Sequence, residues 1–200
     1  MKYLQYSIFL LLLAACNNNN NTAKTAANQG TAIDTANPNI DFFPVADYIK
    51  SQVHMVDSMQ LPIMKTTIVG KDSVPASMKQ EEFSKIAAEF YTPDISDAGI
   101  KKDYKETAFA DQSIPSVTFT YTTKNPSLEI LRLDVLVKPD PVQSDKVRTI
   151  YLEKFFEKGD TSFTQKLFWK ADKNCQIITT AQPKNGAEIT KIVKVSWSGE

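Results

Sequence analysis

From about residue 104 onward, apolar and polar residues alternate with a period of two, the mark of strands with one face buried. Val117, Phe119 and Tyr121 alternate with Thr118, Thr120 and Thr122, and Leu131, Leu133, Val135 and Val137 alternate with Arg132 and Asp134. Lys124-Asn125-Pro126-Ser127 separates these two segments, and its proline bars continuation of a central strand. Pro139 and Pro141 then bracket a loop. Further strands are expected around Cys175–Thr180 and over Ala187–Trp197, joined by a turn at Pro183–Gly186. In the last of these Lys191 interrupts the apolar side and is expected to mark a sheet edge.

One hairpin is over-determined. Gly159-Asp160 is a favoured two-residue turn, and taking it as the loop fixes the pairing of its flanks. Phe156 then faces Phe163, Leu152 faces Leu167 and Ile150 faces Trp169, while on the opposite face Tyr151 meets Phe168 and Glu153 meets Lys166. Three apolar pairs on one side and an opposite-charge pair on the other support this register. Moving the loop by one residue would set Phe163 against Lys154 and Trp169 against Arg148.

Before residue 104 the period is helical. Val45, Tyr48, Ile49, Gln52, Val53 and Val56 share one face, Pro44 suits a first helical position, and Asp41 is the candidate cap. This helix is expected to end near Met59–Gln60, with a short extended piece, Ile63–Val69, closed by Gly70. Ser77 and Gln80 have the spacing of a capping box, and Phe83, Ile86, Ala87 and Phe90 form the stripe of a second helix that Pro93 stops. The expected class is α+β: two N-terminal helices packed on the concave face of one curved, mainly antiparallel meander sheet of about six or seven strands.

The N-terminus obeys neither period. Lys2 precedes an apolar run, Ile8–Leu13, followed by Ala14, Ala15 and Cys16, which fits a secretory leader. The run is far shorter than the ~20 residues a bilayer span requires. Leu13-Ala14-Ala15-Cys16 resembles the lipobox of bacterial lipoproteins at every position. The resemblance implies that the Cys16 thiol takes a diacylglyceryl group, that the bond before Cys16 is cut, and that Cys16 holds the mature chain to a membrane. The rest of the chain is similar in style to the envelope lipoproteins of Bacteroidota, a likeness that carries no residue-level function. By the sorting rules of such lipoproteins, Asn17 in place of Asp argues against inner-membrane retention. The lack of any acidic residue before Asp34 argues against surface export. An outer-membrane anchor facing the periplasm is the expectation.

Asn17–Asn21 is an unbroken Asn tract, and Thr22–Asn39 is almost wholly Thr, Ala, Asn, Gln and Gly. Such a segment buries too little apolar surface to offset its ordering entropy. Residues 17–40 are therefore expected to form a disordered tether, averaging roughly 25–30 Å end to end as a coil. The expected organisation is a leader over 1–15, a lipidated cysteine and tether over 16–40, and a single domain over 41–200.

Composition narrows the chemistry. The formal charge is zero, and losing Lys2 with the leader leaves the mature chain one unit negative. There is no Lys/Arg run, so no nucleic-acid partner is expected. Of two cysteines Cys16 is spoken for, so Cys175 is expected to be buried and free. The single histidine, His54, lies among the polar positions Asp47, Lys50 and Asp57 of the first helix, and no nucleophile elbow accompanies any serine. One histidine and one free cysteine cannot close a zinc site. Carboxylates that could run glycoside chemistry are plentiful (Asp94, Asp97, Asp134, Asp140, Asp145) but none is distinguished by spacing. No catalytic residue, metal or cofactor is expected.

The informative anomaly lies on the second face of the hairpin, where Tyr151, Phe155 and Phe168 sit with Glu153 and Lys166. A sheet covered on one side should alternate more cleanly. Either a loop, the first helix or a chain terminus covers these rings, or they form an exposed patch that meets an envelope protein, a glycan or a lipid. The chain therefore reads as a lipid-anchored, non-catalytic binding or accessory module, its candidate surface Tyr151, Phe155 and Phe168. The alternatives are a domain holding a lipid or small ligand between sheet and helices and an envelope hydrolase using carboxylates.

Overall fold

The computed structural model describes residues 31–33, 41–111, 113–140 and 146–198. Cys16 and most of the expected tether lie outside them. The fold is dominated by one antiparallel sheet of ten strands in the order β1-β4-β5-β6-β7-β8-β9-β10-β2-β3. The strands are β1 (Thr31–Ile33), β2 (Met64–Val69), β3 (Asp72–Ser77), β4 (Tyr104–Asp111), β5 (Ser116–Thr123), β6 (Ile130–Lys138), β7 (Lys146–Lys158), β8 (Thr161–Lys170), β9 (Asn174–Pro183) and β10 (Ile189–Ser196). Three helices accompany them: α1 (Val45–Ser58), α2 (Gln80–Ala88) and the single turn α3 (Ala98–Lys101).

This corrects the expected α+β fold of two helices on six or seven strands. The meander β4 to β10 is only part of the sheet. Ile63–Val69 is not an isolated extended piece but the first arm of a hairpin, β2–β3, that turns at Gly70 with φ +60 and pairs with β10. Within the segment expected as tether, Thr31–Ile33 pair with Ala108–Ala110 of β4 as an edge strand. Lys191 marks no edge, because β10 pairs with β9 on one side and β2 on the other.

The β7–β8 hairpin has the register that its turn dictates: Ile150↔Trp169, Leu152↔Leu167, Phe156↔Phe163, and on the other face Tyr151↔Phe168 and Glu153↔Lys166. Gly159 supplies the positive φ of the turn, +61. Because side chains alternate, this register divides the sheet into two faces. The inner face carries Tyr121, Leu133, Val135, Ile150, Leu152, Leu167, Trp169, Cys175 and Val195, all buried.

Helices α1 and α2 cover that inner face. Ile49 and Val56 of α1 and Phe83 and Ala87 of α2, with Phe90 just beyond, are buried in the same core as Trp169 and Trp197. Phe83 packs on both indoles, with centroids 6.1 Å from Trp169 and 5.1 Å from Trp197, and Phe90 meets Trp169 edge-on at 5.2 Å. Fully burying side chains of this size contributes about 1.5–3 kcal/mol each before entropy is counted.

The helix ends differ from the sequence expectation. Neither Asp41 nor the Ser77–Gln80 pair caps a helix: both helices begin without a side-chain cap, after Pro44 and Lys79 respectively. Ser77 is instead the last residue of β3, and the Gln80 carboxamide donates to the Val53 carbonyl of α1 at 3.1 Å, tying the helices together. Two further contacts fix α1 to the sheet. The Phe43 N–H donates to the Tyr121 hydroxyl at 2.9 Å. Buried Gln52 exchanges two hydrogen bonds with Asp172 in the β8–β9 turn, 3.0 and 2.9 Å.

Candidate functional site

Among the described residues no helix covers the outer face of the sheet, and its side chains run in cross-strand rows. One row reads Asp134, Tyr151, Phe168, Gln176, Lys194, Thr66 from β6 through to β2. On one side of it lies Leu136, Thr149, Lys170, Asn174, Ser196, Met64; on the other, Arg132, Glu153, Lys166, Ile178, Ile192, Ile68.

Tyr151 and Phe168 are brought together at the centre, with ring centroids 4.8 Å apart. Phe168 is 43% exposed, so no described helix or loop covers it. Phe155 is also exposed on this face, opposite Thr164, but it stands four residues further along β7, about 13 Å away at strand spacing. The Glu153↔Lys166 pair lies between. The three predicted residues therefore form one aromatic pair and one separate ring rather than a single patch.

Charge on this face is unevenly used. The Asp134 carboxylate receives the Arg132 guanidinium at 2.9–3.0 Å. The Tyr151 hydroxyl donates to Glu153 at 2.5 Å. Burial, and then that hydrogen bond, hold the Tyr151 phenol well above its ordinary range. The two carboxylates are thus engaged beside Tyr151. Lys166, Lys170 and Lys194, all exposed around Phe168, make no ion pair among the described residues. Beyond Phe168 a shallow depression of about 350 Å³ is lined by Thr66, Asn174, Gln176, Lys194, Ser196 and Met64. Sequence reasoning missed these residues, because their place beside Phe168 depends on β2 joining β10. The only local signal was the polar alternation of Asn174 with Gln176 and of Lys194 with Ser196.

Among the described residues elsewhere, the candidate catalytic groups are placed as follows. His54 and Asp57 share a surface groove between α1 and α2 with Ser84 and Tyr91. However, His54 makes no hydrogen bond, and the Ser84 hydroxyl is turned back onto the Gln80 carbonyl of its own helix at 3.0 Å. Asp94 accepts the Ser96 N–H, a turn contact, and Asp145 lies outside the described residues. No cluster of three or more potential metal ligands occurs among the described residues. Cys175 is buried and free, and burial pushes its thiol well above the usual range. Four depressions lined by described residues lie at the surface, and where helix meets sheet Phe83 and Phe90 pack on Trp169 and Phe83 also on Trp197. No helix among the described residues is long and apolar enough to cross a membrane. No protein-family model, curated protein or solved structure matches this chain.

Proposed function

We propose that this chain is a lipid-anchored lipoprotein of the bacterial envelope whose domain is a non-catalytic binding module, engaging its partner through the outer sheet face around Tyr151 and Phe168. The observation that carries the reading is the exposed Phe168 ring, packed on half-buried Tyr151, near the centre of a sheet face that no described helix covers. A large ring left in solvent costs free energy that a partner surface recovers. The anchor follows from the likeness of Leu13-Ala14-Ala15-Cys16 to a lipobox, and Asn17 favours the outer membrane, facing the periplasm. With Thr31–Ile33 paired into the sheet, the tether is residues 17–30, roughly 20 Å as a coil, which still carries the domain beyond the lipid headgroups.

Two measurements test the two halves. Cys16→Ser should move the protein from the membrane to the soluble envelope fraction; retention in the membrane would refute the anchor. A photo-crosslinking residue at position 168 should capture an envelope component in living cells, whereas one at position 85 on the exposed side of α2 should not. Equal labelling from both positions would refute the outer face as the contact surface.

A further inference from the structure

The occupant of this face has a recognisable chemistry. We infer that the outer face binds an acidic glycan, laid across the strands from Tyr151 to Thr66 over the Phe168 ring; this rests on the binding-module reading above. Three observations converge on it. First, the face is charge-biased: in its three central rows the cations Arg132, Lys166, Lys170 and Lys194 outnumber the carboxylates Asp134 and Glu153 four to two, and the three lysines, none in an ion pair among the described residues, surround Phe168. Such a field attracts an anionic partner and repels a cationic one.

Second, the groups beside Phe168 match a polyhydroxylated chain. Asn174 and Gln176 offer carboxamides that both donate and accept, and Thr66 and Ser196 offer hydroxyls. None of these four side chains is spent on an internal hydrogen bond. Third, the shape is a platform with a shallow trough, not a pocket. Protein hot spots sit in deep, desolvated, largely apolar sites, and here the lining is polar and the floor is strand. The row from Tyr151 on β7 to Thr66 on β2 spans four inter-strand steps, roughly 19 Å. That is an extended site, suited to several sugar units with the rings of Tyr151 and Phe168 against the apolar faces of one or two of them.

The test uses the full lipidated chain in neutral detergent, titrated calorimetrically with hexagalacturonate, a heparin oligosaccharide, neutral maltohexaose and poly-glutamate. At least one acidic oligosaccharide should bind, weakening with salt, while maltohexaose does not. Lys166→Ala/Lys170→Ala/Lys194→Ala should weaken binding by roughly tenfold or more, and Phe168→Ala by roughly tenfold. Both variants change exposed side chains, and unchanged circular dichroism and thermal midpoint confirm their folding. No binding of either acidic oligosaccharide overturns the inference, as does poly-glutamate binding as tightly, which reduces the site to bare charge. In either case crosslinking from position 168 still reports separately on whether the face contacts anything at all.

Discussion

Lys154 offers a sharp energetic test of the fold. It lies on the inner face of β7, where a strand should bury an apolar side chain, and it is 1% exposed. Its ammonium donates to the Thr92 carbonyl, in the segment after α2, and stands 3.3 Å from Glu129 Oε1. At an effective dielectric of 20, two unit charges at that distance attract by about 5 kcal/mol. Removing the ammonium from water costs several kcal/mol in the opposite direction. The Glu129 side chain is 37% exposed, so solvent screens part of the attraction. The pair is therefore close to neutral as a whole, although the buried ammonium depends on Glu129.

Two substitutions separate these terms. Glu129→Gln strands a buried ammonium with one neutral acceptor, and should cost roughly 2–3 kcal/mol, below the range for a pair buried on both sides. Lys154→Met removes the desolvation penalty together with the attraction and keeps most of the volume. What remains is an unpaired Thr92 carbonyl, about 1 kcal/mol. The double variant should match Lys154→Met to within about 0.5 kcal/mol, because Glu129 without its partner is free to hydrate. Urea unfolding followed by indole fluorescence reads this directly, since Trp169 and Trp197 are both buried in the core. If Lys154→Met proves more destabilising than Glu129→Gln, the ion pair is a net stabiliser and the reasoning fails.

Three further outcomes follow from the core and its titrating groups. Phe83→Ala removes a fully buried ring from between two indoles, and should cost about 3–5 kcal/mol as a lower urea midpoint at unchanged slope. Tyr104, hydrogen-bonded to the Ile130 carbonyl at 2.8 Å, has its phenol pushed up to about 12, first by burial and then by Asp103 and Glu129. The unfolded chain ionises near pH 10, so this contribution is intact below pH 10 and lost as pH rises through about 12; Tyr104→Phe should flatten the fall in stability over that window. Cys175 should resist a thiol reagent at pH 8 in the folded protein and react at the rate of unfolding, and immediate labelling would contradict its burial.

What the sequence revealed follows from where its constraints overlap. In β7–β8 the Gly159-Asp160 turn, the apolar pairs and the Glu153–Lys166 pair all demand one register, so Tyr151 beside Phe168 was legible. Helices α1 and α2 were legible because their apolar stripes meet a continuous inner face. The strand β3 was not: Asp72–Ser77 is exposed at every position, so it has no buried face and hence no period, and it contains Pro75, which cannot donate to a ladder. With β3 unseen, Ser77–Gln80 took on the look of a capping box although Ser77 ends a strand. The pairing of β2 with β10 joins segments more than 120 residues apart, and local pattern carries no information on it. That single non-local pairing places Thr66 beside Lys194, which is why the polar half of the candidate site was missed.

The same topology bears on whether a partner of the proposed kind would meet a face or an edge of the sheet. An open sheet ends in unpaired backbone groups that invite strand addition. At one edge lies β1, only three residues long. At the other lies β3, where the Met78 N–H bonds the Ile63 carbonyl and so sets the parity of the hairpin. Counting back by pairs, Val74 and Ala76 point their backbone groups at β2, while Ser73, Pro75 and Ser77 point theirs outward. The middle outward position is thus a proline, which has no N–H to give. An incoming strand would find its ladder broken at the centre of a six-residue edge. Restoring that donor with Pro75→Ala should leave the face untouched while making the edge competent for pairing. Self-association that rises in Pro75→Ala and is unaffected by Phe168→Ala would separate the edge from the face as contact surfaces. If Pro75→Ala stays as monodisperse as the parent, the proline is not what keeps this edge unpaired.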